Sequence, residues 1–179
     1  MNAYWLAAGC AALALSACGG GGDTAAPEEK AGPVDLLLPG EYEITTIVTQ
    51  LDSSDGSTPA TSATLDTSRT HTVCVGEDGL LPPETFGEDG DTCTIENPYF
   101  RRGKIRQQLA CQREANAGQI QLQVDAEFTA EGVDGTVKSG TYFAGDGDYS
   151  MTRSLSGKRV GDCTLAEAAE ELEGTKIEE

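Results

Sequence analysis

The sequence predicts an all-β domain, an antiparallel meander of about seven strands forming a curved sheet or open barrel, with a short C-terminal helix. Two observations carry this reading. Ile120, Leu122, Val124, Ala126 and Phe128 alternate strictly with Gln121, Gln123, Asp125 and Glu127, the period of a strand with one buried and one wet face. Links as short as Arg101-Arg102-Gly103 and Gly145-Asp146-Gly147 separate β-rich runs, and such short links join only antiparallel neighbours.

Taken in order, residues 1–17 read as a leader. Ala3 to Leu15 is mostly apolar, of signal-segment length and too short to span a bilayer. Met1-Asn2 lacks the Lys or Arg that usually opens such a leader. Residues 18–33, with Gly19-Gly20-Gly21-Gly22 and then Asp23 to Lys30, have no apolar periodicity and form a tether reaching roughly 20 Å. Leu36-Leu37-Leu38-Pro39-Gly40 opens the β domain, residues 34–163. Expected strands are Glu41–Leu51, Thr67–Val75, Cys93–Phe100, Lys104–Arg113, Gln119–Ala130, Gly135–Ala144 and Asp148–Val160. In the first of these, Tyr42, Ile44, Thr46 and Val48 share one face. Gly76 to Asp91 is rich in Gly, Pro and acids, with one short helical turn expected around Glu84 to Gly87. Residues 164–179 form an acidic tail, whose Leu165–Leu172 run favours a helix between an Asp162 or Thr164 cap and Gly174.

The formal charge is −18, and so acidic a chain repels phosphate backbones, which excludes a nucleic-acid partner. Beyond Cys18, four cysteines remain: Cys74, Cys93, Cys111 and Cys163. An even set in an exported protein reads as two disulfides, and the spacing holds no C-x-x-C knuckle for zinc. A turn centred on Arg102 places Cys93 and Cys111 at equal distances on either side, facing each other across a hairpin within bridging reach. Cys74 is then left to Cys163.

No metal, cofactor or catalytic residue is assigned from the sequence. His71, the one histidine, lies three residues before Cys74, and an odd offset on a strand puts the two on opposite faces. The G-x-S-x-G, S-x-x-K and H-E-x-x-H patterns are all missing from the sequence. Counting a calcium loop from Asp146 puts Gly157 at the twelfth position, where a carboxylate is required. Gly145-Asp146-Gly147-Asp148, Glu88-Asp89-Gly90 and Asp134-Gly135 are read as turns. Arg101, Arg102, Lys104, Arg106 and Arg113 put five of the 12 basic residues on one hairpin. Arg101, Arg102, Lys104 and Arg106 are the candidate contact with an anionic surface, against simple charge balance with neighbouring acids, and Tyr99 and Phe100 are either anchors for it or core.

Leu15-Ser16-Ala17-Cys18 with Gly19 following resembles the lipobox of bacterial lipoproteins. That resemblance implies cleavage before Cys18, acylation there, and an address in the bacterial cell envelope, at the outer membrane facing the periplasm. Thr141–Arg153, Gly157–Cys163 and the opening Pro39-Gly40-Glu41-Tyr42-Glu43 resemble DUF3617, a family of small exported proteobacterial proteins. It implies a disulfide-bearing, often lipid-anchored β domain and no carried-over activity. The expected function is a lipid-anchored envelope protein with a non-enzymatic β domain that binds an envelope protein or ligand or serves a structural role. The alternative is an envelope hydrolase using carboxylates on the concave face of the sheet. Lipidation predicts that Cys18→Ser leaves unprocessed or soluble protein in fractionated cells; an unchanged, processed membrane form overturns it.

Overall fold

The computed structural model describes residues 34–163. Cys18, the tether and the helix expected within 164–179 lie outside the described residues. The strands are β1 (Gly40–Ser53), β2 (Ser68–Val75), β3 (Asp91–Asn97), β4 (Phe100–Arg101), β5 (Lys104–Arg113), β6 (Asn116–Phe128), β7 (Gly132–Phe143) and β8 (Tyr149–Gly161). The expected third strand is broken at Pro98-Tyr99, because proline has no N–H for the ladder. Its remnant β4 pairs with β5 alongside β3.

All pairings are antiparallel, in the order β2-β1-β8-β7-β6-β5-β3, a curled half-barrel. The meander differs from a simple up-and-down run in where it opens. First and last strands pair, β1 with β8, and among the described residues the two free edges are β2 and β3. The chain from Gly76 to Gly90 therefore crosses the seam, with a 3-10 turn at Pro83–Thr85. Leu81, Thr85 and Phe86 of this crossing are buried. It fills the seam as a plug.

Alternation sets the core. Tyr42, Ile44, Thr46 and Val48 all face inward, as do Ile120, Leu122, Val124, Ala126 and Phe128. The Tyr42 hydroxyl lies 2.9 Å from the carbonyls of both Leu38 and Ala130, so this buried aromatic keeps its polar end satisfied. Gly157 stands between Ile44 and Val133 in the sheet, and a Cβ there would lie 2.5 Å from Ile44 Cδ1. Asp134-Gly135, read from sequence as a turn, lies inside β7. The glycine is there for space: a Cβ at Gly135 would fall 2.4 Å from that of Ala126.

The β4–β5 turn is Arg102-Gly103, with φ of 53° and 70°, both positive as a two-residue type I′ turn requires. That turn alone would set Cys93 opposite Gln112. A bulge between Ile95 and Asn97 shifts the register by one, so Cys93 faces Cys111. The structure bonds Cys93 to Cys111 and Cys74 to Cys163, with Cα separations of 4.1 Å and 5.6 Å.

The barrel has two distinct ends. One carries Val34, whose carbonyl accepts from Gly103 N at 2.8 Å, and the loop at Ala130 that receives Leu38 N. The other carries the 54–67 loop, tied to the β7–β8 loop by Ala60 N to Gly147 O at 2.9 Å. Gly157→Ala overpacks the inner face, and urea denaturation should show a loss of about 1–3 kcal/mol; a Val133→Ala partner substitution should recover part of it.

Candidate functional site

A cavity of about 740 Å³ opens at the end away from Val34, between the plug and the 60–63 and 67–70 segments. Its volume is that of a small-molecule site. Its wall is set by strand parity. Arg69 follows His71, Val73 and Val75 on the inner face of β2; Arg113 follows Leu109 and Cys111 on β5; Arg153 stands between Met151 and Leu155 on β8. Three arginines thus point where apolar residues are expected.

Arg113 is pinned. Its Nη2 donates to Glu88 Oε2 and its Nε to Asp91 Oδ1, each at 2.7 Å, while Nη1 donates to Ala60 O at 3.0 Å. Burial alone would lower the Arg113 pKa, but the bonds to Asp91 and Glu88 hold it above its ordinary value. Glu88 also accepts from Thr61 Oγ1 at 2.5 Å and from the Tyr149 hydroxyl. Burial pushes the Glu88 carboxyl up, yet the hydrogen bonds from Thr61, Tyr149 and Arg113 outweigh it and keep the group below its ordinary range. Burial, then the charge of Glu88, raises the Tyr149 hydroxyl well above its usual pKa. At neutral pH the cluster is an ionised glutamate with both oxygens engaged, beside a neutral phenol. Glu88-Asp89-Gly90 does form a turn, closed by Asp91 N to Glu88 O at 3.1 Å, but its first residue points inward to this cluster.

Arg153 is only 4% exposed. Its Nη1 donates to Gly87 O at 3.0 Å and its Nη2 to Phe86 O at 2.5 Å. Its Nε has no partner among the described residues. Arg69 reaches the same Gly87 O at 3.3 Å and pairs with the exposed Asp89 at 2.6 Å.

His71 does not line the cavity. Neither ring nitrogen has a partner among the described residues, and burial, then the charge of Arg69, lowers its pKa. Among the described residues no three His, Cys, Asp or Glu are grouped to hold a metal. At the Asp146 loop the Asp55 carboxylate accepts from Gly147 N and Asp148 N at 2.8 and 3.0 Å, so backbone donors occupy it as in a turn.

The basic hairpin divides. Lys104 pairs with Glu127 at 2.8 Å and Arg106 with Asp125 at 3.7 Å. Arg113 lies at the opposite end of β5, inside the cavity wall, and so leaves the group. Arg101 and Arg102 at the tip have no ion pair among the described residues; Arg101 sits 5.0 Å over the Tyr99 ring. Phe100 stacks on Phe128 with centroids 4.4 Å apart and belongs to the core. Sequence reasoning passed over Arg69, Glu88, Tyr149 and Arg153. The available signal was a charged residue at an inward position of an alternating strand.

The sequence profile of a family described as "Protein of unknown function (DUF3617)" matches residues 37–163. No curated protein and no solved structure matches the chain.

Arg113→Met leaves two buried carboxylates without their cation and should cost about 3–5 kcal/mol in urea denaturation. In the unmodified protein the stability from Glu88, whose pKa is lowered on folding, is complete above the ordinary carboxyl value of 4.5 and fades as pH falls below it. Stability measured against pH should lose part of this acid-side slope in Glu88→Gln.

Proposed function

The chain belongs to DUF3617, a family described as of unknown function, and on that premise we propose a lipid-anchored cell-envelope protein whose non-enzymatic β domain takes a small ligand in the distal cavity. The observation that carries the reading is the polarity of the barrel. Val34 leaves at the end marked by Arg101 and Arg102, while the cavity lies at the other. A membrane contact made by the basic tip would leave the cavity at the end turned away from that surface.

The same end supports a membrane contact. Arg101 and Arg102 suit anionic headgroups, each contributing about 1 kcal/mol near such a surface. Leu36 and Leu38 are 49% and 45% exposed there, within the segment that follows Val34. Lys104 and Arg106 contribute less, because Glu127 and Asp125 already offset them.

The hydrolase alternative is less well supported. It needs a carboxyl able to give or take a proton in the concavity, and Glu88 and Asp91 are committed to Arg113. His71, the natural partner in such a scheme, stands outside the cavity wall.

The membrane contact is tested on residues 18–179 carrying Cys18→Ser, so that no lipid contributes. Arg101→Glu with Arg102→Glu should weaken binding to phosphatidylglycerol vesicles by about thirtyfold or more at low salt, two arginines at about 1 kcal/mol each. The difference should shrink as salt screens exposed charges. Lys104→Gln with Arg106→Gln should change it far less. Equal binding by the double reversal at every salt concentration would reduce the tip to charge balance.

A further inference from the structure

The cavity wall is out of step with the chain's overall charge. In a protein of formal charge −18, it presents Arg69, Arg113 and Arg153 against Glu88 and Asp89. Arg113 is satisfied by its two carboxylates, Glu88 and Asp91. Arg153 touches no carboxylate at ion-pair distance among the described residues, although it is 4% exposed. A buried cation without an anion in contact is costly.

Arg69 adds to this. Its Nη1 and that of Arg153 both donate to Gly87 O, at 3.3 and 3.0 Å. Two guanidinium groups therefore converge on one carbonyl, and like charges at that separation repel. The one acid on the pair, Asp89, also lines the cavity and meets Arg69 Nη2 at 2.6 Å, but its side chain is 83% exposed. Solvent therefore screens it, and it leaves Arg153 without an anion in contact among the described residues. Beside the pair, Val48 and Met151 give the wall an apolar floor.

We infer that the cavity binds a small organic anion, a carboxylate carried on a short apolar chain, with the charge received by the Arg69–Arg153 pair and the apolar part laid on Val48 and Met151. This rests on the binding-module reading above. The anion would neutralise the repulsion between the guanidinium groups, and planar guanidinium is suited to paired bonds with a carboxylate.

The test uses residues 18–179 with Cys18→Ser and calorimetric titration of octanoate, octanol and octylammonium, equal in chain length and different in charge. Octanoate should bind about tenfold or more tightly than octanol, the scale of one charge-assisted hydrogen bond, and octylammonium should bind least. Arg153 also holds the plug, so the variant is the more exposed Arg69→Gln. It should lower octanoate affinity about tenfold and leave octanol unchanged. Ala63→Phe, which narrows the cavity, should weaken both. Octanol binding as well as octanoate, with Arg69→Gln without effect, would overturn the anion assignment and leave the cavity a ligand site. Tightest binding of octylammonium would overturn it by sign. If none of the three binds, the binding-module reading falls with it.

Discussion

The crossing of the open seam by residues 76–90 is the constraint from which the rest of the structure follows. A curled sheet with first and last strands paired still has two free edges among the described residues, here β2 and β3. Residues of the crossing touch both, Gly87 O meeting Arg69 and Gly87 lying beside Cys93. The chain must pass between them. It brings Phe86 into the core at 0% exposure, a gain of about 2–3 kcal/mol, but it also carries backbone carbonyls into a place with no ladder to receive them. Arg153 supplies the donors for Phe86 and Gly87, and Arg113 clamps Glu88 and Asp91. An arginine serves here where a neutral donor would not, because its fork reaches two carbonyls at once and each charge-assisted bond is worth more than a neutral one. The cavity is the space left above this plug.

The disulfides secure the same weak place. Cys74 lies on β2 and Cys93 on β3, the two edges of the seam. Cys93–Cys111 ties β3 back to β5, and the plug leans on it, since a Cβ added at Gly87 would stand 3.0 Å from Cys93 Sγ. Cys74–Cys163 ties β2 to the chain leaving β8 and closes a loop of 89 residues, which in the chain-entropy account contributes roughly 4–5 kcal/mol. Edge strands are where sheets fray and recruit other chains. A domain with few aromatic residues has each edge covalently held.

Separation of the two ends gives the domain a direction. The strands that run from the Arg102-Gly103 turn to the cavity are long: β5 covers 10 residues, on the order of 30 Å at about 3.3 Å per residue. Charge follows the same axis. Arg101 and Arg102, without an ion pair among the described residues, stand at the tip, acid–base pairs such as Lys104–Glu127 line the outer face, and a convergent arginine pair lies in the concavity. A surface and a pocket can thus be occupied independently.

Much of this was legible in one dimension because strand structure is local. Period-two alternation marked the buried faces of β1 and β6, and short Gly-bearing links marked antiparallel neighbours. Hairpin symmetry brought Cys93 and Cys111 together, although the actual route is a two-residue turn plus a bulge at Glu96. Parity even held the signal of the cavity, since Arg69, Arg113 and Arg153 stand at inward positions. What parity cannot say is whether an inward charge meets a carbonyl, a carboxylate or solvent. That depends on which segment crosses the seam, and the seam's position is a matter of non-local pairing: β1 with β8 across the length of the domain, and β2 as the edge of the sheet among the described residues. The sequence by itself determined most of the strands, the inward faces of β1 and β6, and the cysteine partners, but not the break that splits β3 from β4. Only the tertiary structure decided where the barrel opens, what plugs it, and that Asp134-Gly135 is strand and Glu88 interior, because those follow from contacts between residues far apart in the chain.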